Sequence, residues 1–378
     1  EPNLGYLGVL KTENIGGSFV RGQLEYEDSY RKLNRVIELD RELSHPSIKW
    51  VGGIAWRRTR ERDSGPDPVE FELADTWLGD VIQLKERPEV GETARPVLVP
   101  AVRFNRKTYL DRPSVARDSL RQYHHYQNYL GGLTYQRLKY YKTSYLYEMG
   151  ETENLPSGLT LKVSGGYQDG EYHDRAQAYF ESTLFSARNR GDVLMGTAKF
   201  GGLYRSGVFE DGSLILGTGY ITRLWGQDTW HSRFYVLVNY HLAINRVSGT
   251  VLKLGNSTGL RGMEDNQVEG NQRLLGNFEY RVFAPWSVMG FRFMFLGYLD
   301  VGTIAAEDEP ILQAKVYGSA GLAVRIQNPD LVLPPMQMRV AFLNSINDKG
   351  VQVGFRIGGP DSPEVKVPGT RPGRFEFR

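Results

Sequence analysis

A single arginine flanked by glycines, in Gly259-Leu260-Arg261-Gly262-Met263, precedes a run that carries Asn277, Glu279 and Arg281 at every second position. Side chains two apart on a strand share one face, so those three form a polar row beside a loop-borne cation. The chemistry such a set supports is directed ion pairing, in which a guanidinium fork is accepted by both oxygens of a carboxylate. It is not the chemistry of bond cleavage. The chain has no His-Glu-x-x-His pair, no Walker loop and, with no sustained helical period, no nucleophile elbow. Ser232 beside His231 does not supply nucleophile and base, because neighbours on a strand point apart. His124-His125 fails as a metal site for the same reason. Cysteine is absent, which excludes disulfides and thiolate ligands. We expect no enzyme activity, no cofactor and no metal.

Alternation of polar and apolar residues marks the strands that must position this row. Tyr6 to Leu10 and Gly17 to Tyr26 read as a weak opening strand or hairpin. Val36 to Leu43 and Lys49 to Arg58 follow, with the charged cluster Arg57 to Asp63 as a loop tip. Glu70 to Leu84 reads as one strand, or as two bent at Gly79, and Val97 to Asn105 comes next. Residues 106–127 are polar, without period, and read as a long loop. Tyr129 to Leu138, Tyr141 to Tyr147, Leu159 to Tyr167, Ala176 to Phe185, Val193 to Tyr204, Ser213 to Arg223 and Arg233 to Ala243 then succeed one another. Turn chemistry separates them at Asn154 to Gly158, Gln168 to Gly170 and Glu210 to Gly212.

The last third is the most regular. Phe291, Phe293, Phe295, Leu299 and Val301 share one face, while Arg292, Tyr298 and Asp300 share the other. The same parity sets Lys315, Tyr317, Ser319 and Arg325 against Val316, Leu322, Val324 and Ile326. Further on it turns Gln337, Arg339, Gln352 and Arg356 to the polar side. Five strands are expected from Gln272 onward.

The chain has 378 residues, with 22 Tyr, 17 Phe and 43 Gly, a composition that favours strands. A mean hydropathy of -0.42 is compatible with a membrane protein whose strands show lipid only every second residue. No run of about 18 uncharged apolar residues is present to form a helical span. A net charge of +2, from 46 basic and 44 acidic residues, leaves no bulk electrostatic case for nucleic acid. Trp225, Trp230, Trp286 and Tyr129 sit near strand ends, where a membrane interface favours amphipathic rings. Many strands with no helix to cover them are best accommodated by closure, which removes exposed edges. The expected fold is therefore all-β, a transmembrane antiparallel barrel. No signal peptide precedes Glu1, as expected of a mature chain or an excised domain.

Leu260-Arg261-Gly262-Met263, Asn277-Phe278-Glu279-Tyr280-Arg281 and Tyr298-Leu299-Asp300-Val301-Gly302 resemble the barrel of the BamA/TamA superfamily of outer-membrane assembly and translocation proteins. The likeness is clearest over residues 249–358 and is nearest a Bacteroidetes-like branch. It implies sixteen strands over residues 1–358, with an extracellular loop, 245–270, folded into the lumen. Residues 359–378 would be a C-terminal extension, and no POTRA domain lies in this chain. Leu260, Arg261, Gly262 and Met263 would form the loop tip, and Asp300, Glu279, Arg281 and Asn277 its partners on the wall. A lateral seam would run between Gly16, Gly17 and Gly22 on one side and Gln352, Gly354 and Ile357 on the other, with Gly358 and Gly359 beyond. Met263 departs from the family, which usually has an aromatic residue there. The resemblance implies a barrel in the bacterial outer membrane that inserts or exports clients. Its partners would be outer-membrane lipid, lipopolysaccharide, and unfolded outer-membrane clients or other subunits of a complex. The alternatives are an accessory or structural subunit, or a passive solute pore.

Overall fold

In the computed structural model the described residues are 5–374, apart from 30–31, 46, 63–67, 85–95, 188–190, 227–228, 250, 264–267, 332–333, 345–348 and 358–368. The strands in the first half are β1 (Tyr6–Thr12), β2 (Arg21–Asp28), β3 (Lys32–Arg41), β4 (Trp50–Glu61), β5 (Val69–Asp80), β6 (Ile82–Gln83), β7 (Val97–Asp111), β8 (Tyr126–Thr143), β9 (Glu153–Gly170) and β10 (Arg175–Ala187). The second half adds β11 (Val193–Arg205), β12 (Val208–Ile221), β13 (His231–Ile244), β14 (Leu252–Leu254), β15 (Val268–Gly270), β16 (Gln272–Val288), β17 (Phe291–Ala305), β18 (Val316–Gln327), β19 (Met336–Asn344) and β20 (Lys349–Ile357). Each long strand is antiparallel to the next, and β14 and β15 make a small hairpin of their own. β5 and β6 both pair with β7, so they fill one place in the sheet, bent at Val81. Among the described residues the 18 sheet strands thus occupy seventeen places, and β1 is exposed along its whole length.

Alternation decides which face points inward. In β17, Met294, Leu296, Tyr298 and Asp300 are buried while Phe295 and Leu299 are exposed. Around the sheet the exposed positions include Ile37, Ile54, Leu78, Val102, Val163 and Leu322, and the buried ones include Asn34, Asp75, Asn105, Glu181, Arg233 and Arg325. Apolar outside and polar inside is the inverse of a soluble sandwich and suits a wall set in lipid. Segments from both ends fold onto the polar face. Residues 144–151 reach β16 and β17, residues 245–271 reach β16 and β17, and residues 369–374 reach β3, β7 and β9. One face that encloses contacts from both halves of the sheet belongs to a barrel. Among the described residues no ladder joins β20 to β1 or β2.

Several strands run further than the pattern suggests. β4 continues through Arg57 to Glu61, where a loop tip is expected, because Arg58 pairs across the ladder with Glu70 and Glu72. β7 extends to Asp111 and shortens the long loop to 112–125. β8 is continuous to Thr143, and the expected strand Tyr141 to Tyr147 instead turns inward after it, with Tyr145 at φ 58°. β9 runs through Pro156, which pairs with Tyr140 of β8 and lies beyond the last pair of the β9–β10 ladder, at Gly158, where a proline is tolerated. Gln168 to Gly170 pairs with β8 as strand. Glu210 to Gly212 lies within β12, at a bulge opposite Gly201 and Leu203.

Candidate functional site

β13 and β16 are neighbours in the sheet, and the chain between them turns into the lumen. Its base is held by Asp211, whose Oδ1 accepts from Val247 N at 3.0 Å, Ser248 N at 2.9 Å and Ser248 Oγ at 2.8 Å. The β14–β15 hairpin then carries Leu252 and Leu254 into a core with Leu260, Met263, Ala243, Leu275, Ile304 and Tyr317. A 3-10 turn at Asn256–Thr258 reverses the chain. Gly259 at φ 112° and Gly262 at φ 85° bracket the tip in left-handed conformations that an L side chain resists. Asn256 closes the tip: its backbone N donates to Met263 O at 2.8 Å, and its Oδ1 accepts from Gly262 N at 3.2 Å.

The tip sets Arg261 against the wall. Asp300 Oδ2 accepts from Arg261 N at 3.1 Å and Nε at 2.7 Å, and Asp300 Oδ1 accepts from Nη2 at 2.6 Å. Nη1 donates to Glu279 Oε1, and the guanidinium lies 3.9 Å from the centre of the Tyr298 ring. Asn277 and Asp300 are register partners. Asn277 Nδ2 donates to Asp300 Oδ1 and to Gly259 O, both at 2.7 Å. Arg281 donates from Nε and Nη2 to Glu279 Oε2 at 2.9 and 2.8 Å and stacks 3.9 Å from the Tyr235 ring. Its Nη1 donates to Leu146 O at 3.1 Å, joining the segment 144–151 to the network. Two arginines and two carboxylates, all buried, give a neutral set in which each charge is met by directed bonds. That is the condition under which buried charge is tolerated. Burial works to lower the Arg261 pKa, but the hydrogen bonds to Asp300 and the charge of Glu279 outweigh it and hold it above the usual arginine value.

The structure therefore brings Leu260, Arg261, Gly262, Met263, Asn277, Glu279, Arg281 and Asp300 together. Met263 is 1% exposed and fills the aliphatic core where the family resemblance puts an aromatic. Gly262 faces the last strands: a Cβ there would stand 3.1 Å from Leu343 Cδ2 and 3.3 Å from Gln352 Oε1. The seam residues are not gathered in the same way. Gly16 and Gly17 lie in the turn between β1 and β2, and Gly22 is in β2 opposite Thr12 and Leu39. Gln352 and Gly354 lie in β20 opposite Ala341 and Arg339. Among the described residues no pairing joins the two sets. The Ile357 side chain, Gly358 and Gly359 lie outside the described residues.

Asp211, which the sequence places in an Asp-Gly turn, and Asn256 hold the loop without being among the expected site residues. The signal for Asp211 was the Asp-Gly pair, which marks a departure from regular strand as readily as a chain reversal. Gly255-Asn256-Ser257-Thr258-Gly259, likewise not among the expected site residues, has the Gly-x-Ser-x-Gly spacing. That run forms the 3-10 turn of the loop with Ser257 exposed, not a strand-to-helix elbow. His124 Nε2 lies 3.1 Å from Ala116 O and from Ser119 O, whereas the His125 ring faces Tyr109 N and Arg112. Among the described residues no group of three or more His, Asp or Glu is placed to hold a metal.

No family model matches the chain, and no curated protein matches it. Among solved structures it is similar to BamA from Haemophilus ducreyi lacking POTRA domains 1–3, with 13% identity over 94% of this chain and 67% of that one and a TM-score of 0.49.

Proposed function

We propose that this chain is a bacterial outer-membrane barrel of the BamA/TamA type that inserts or exports client proteins at the edge between its first and last strands. The observation that best supports this reading is the docked tip, with Arg261 fixed to Asp300 and Glu279 and Gly262 packed behind β19 and β20. A tip in that place braces the closing strands from within. Among the described residues β1 pairs only with β2 and β20 only with β19. A bare strand edge in lipid costs several kcal/mol per unsatisfied backbone group, and an incoming strand relieves that cost by adding to the edge. The partners on this reading are unfolded outer-membrane clients, lipid and lipopolysaccharide. Depleting the protein and measuring the outer-membrane proteome tests it: other barrels should fall in abundance, and unchanged levels of all of them would sink the proposal.

A second reading, an accessory or structural subunit of a larger complex, draws on the crowded interior, where three segments of the chain itself lie on the wall. It predicts that depletion leaves most barrels intact and disperses one assembly. The same crowding counts against a passive solute pore. Conductance of the purified barrel tests that point, since a large steady current from the unmodified protein would favour the pore.

A further inference from the structure

The C-terminal segment Gly369-Thr370-Arg371-Pro372-Gly373-Arg374 lies along the inner wall of the N-terminal half, against β3, β7 and β9. Thr370 donates from its backbone N and from Oγ1 to Glu42 Oε2, at 2.9 and 3.2 Å. Arg371 Nη2 donates to Glu38 Oε1 at 2.9 Å and Asp40 Oδ1 at 2.8 Å, while Nη1 is 3.5 Å from Asp75 Oδ2. Four carboxylates on one patch of wall are costly unless cations are brought to them: Arg103 pairs with Asp75, Arg21 Nη2 lies 3.5 Å from Asp40 Oδ2, and Arg371 adds a third. Burial and the neighbouring Asp40 push the Glu42 carboxyl up, and Thr370 N–H and Arg371 pull it back.

The rest of the segment is read through its backbone. Arg103 Nη1 donates to Pro372 O at 2.8 Å and Ser164 Oγ to Gly373 O at 2.6 Å. Pro372 is buried and sits over Gly132, where an added Cβ would be 3.0 Å from the proline Cβ. A Cβ at Gly373 would collide with the Tyr179 ring at 2.1 Å, so that position is confined to glycine. Arg374 Nη1 donates to Asn105 Oδ1 at 3.0 Å. Main-chain carbonyls held by fixed donors, one guanidinium pocket, and a place that admits only glycine make up a peptide site.

We propose that this wall is a binding site for an extended, arginine-bearing peptide, and that its resident ligand is the chain's own residues 369–374, which strap β20 to the N-terminal strands. β20 ends at Ile357, and Thr370 and Arg371 are bonded to Glu42, Glu38 and Asp40 on and beside β3. Among the described residues no ladder joins the two ends of the sheet, and the strap links them instead. This role does not depend on the assembly function.

The absence of cysteine makes a direct trap possible. In the full chain, Gly132→Cys with Pro372→Cys places two Cβ atoms within a small shift of the roughly 3.5–4.5 Å that a disulfide spans. Oxidation should cross-link this pair in folded protein, verified by heat-modifiable migration and by mass of the linked peptides. Adding Arg371→Glu should lower the yield at least tenfold. A yield in the folded pair no higher than for Gly132→Cys with Gly16→Cys would overturn the docking. The second arm uses a fluorescein-labelled Gly-Thr-Arg-Pro-Gly-Arg peptide. Full-length Arg371→Glu protein should bind it at least tenfold more tightly than the unmodified protein, whose site is filled, and Asp40→Asn added to that variant should abolish binding. Equal binding by both proteins would overturn occupancy by the tail. No binding by the Arg371→Glu variant would overturn the peptide site.

Discussion

Asp300 takes three hydrogen bonds from Arg261 alone, from the backbone N at 3.1 Å, Nε at 2.7 Å and Nη2 at 2.6 Å. A carboxylate with no exposed surface that is bonded to both main chain and side chain of one residue fixes that residue's position as well as its charge. Asp300→Asn keeps the shape and removes the charge, leaving Arg261 with Glu279 as its only carboxylate. Arg261→Ala leaves Asp300 with Asn277. Each change should cost about 3–5 kcal/mol, the usual loss when one partner of a buried pair is removed. The double variant should cost clearly less than the sum. Urea unfolding of the purified barrel, followed by heat-modifiable migration, measures all three. Single losses below about 1 kcal/mol would show a wet, weakly coupled site.

Asp211 does at the base of the loop what Asp300 does at its tip. It accepts from Val247 N and from Ser248 N and Oγ, and Arg246 Nη1 lies 3.5 Å from its Oδ1. Burial pulls Arg246 down to about 10, and Asp211 opposes that shift. Asp211→Ala should therefore strand two backbone N–H groups, at roughly 1–3 kcal/mol for the unsatisfied donors, and remove the carboxylate that faces Arg246 and Arg175. Limited proteolysis should then cut first within 245–271. A cleavage pattern identical to that of the unmodified protein would show that the tip alone holds the loop.

At the far end of β7 and β9, Arg112 clamps Glu171 with bonds of 2.7 and 2.8 Å. Those bonds hold the Glu171 pKa down to about 2, against a smaller opposing effect of burial and with help from the His125 backbone N–H. A carboxyl depressed in the folded state stabilises it fully above the unfolded pKa, and that contribution is lost as pH falls through the folded value. Here the window runs from about 4.5, the ordinary value, to about 2. The Glu171 side chain is partly open to solvent, so screening keeps the effect small. Protection of residues 112–125 from an acid-active protease should decline across that window in the unmodified protein, and Glu171→Gln should flatten the dependence. A decline of equal steepness in Glu171→Gln would assign it to other groups.

Much of this was legible from residue types two apart. The parity of Tyr298 and Asp300 against Phe295 and Leu299 needs only the period of a strand, and the polar face it marks is the buried one. Strand ends were less legible, because a proline or a charged cluster reads as a turn unless the partner strand is known. Pro156 lies beyond the point where the β9–β10 ladder ends, at Gly158, and Arg58 is met by Glu72 opposite and Glu70 on the diagonal. The contact of Arg261 with Asp300 was expected only through the family resemblance, and the contacts of the C-terminal segment were not legible at all. Nothing local to Thr370-Arg371-Pro372 points to Glu42 or Asp75, since that meeting depends on the curvature of the whole sheet.

Gly262 offers a test in which two physical causes give different outcomes. Its φ of 85° should make Gly262→Ala cost roughly 1–2 kcal/mol through backbone strain alone. The added methyl would also meet Leu343 Cδ2 at 3.1 Å and Gln352 Oε1 at 3.3 Å. Both are ends of side chains that can shift by a few tenths of an ångström, so strain should dominate. If so, Leu343→Ala, though costly itself, adds independently of Gly262→Ala to within about 0.5 kcal/mol. Should the contact dominate instead, the double variant recovers part of the loss and the coupling exceeds that margin. The same pair reports on the brace proposed behind β19 and β20, because a strained tip that withdraws also moves Gly262 away from Leu343 and Gln352. Faster hydrogen exchange along β20 in Gly262→Ala than in Leu343→Ala, at matched stability, is the expected sign, and equal exchange would show that the tip does not support the last strand.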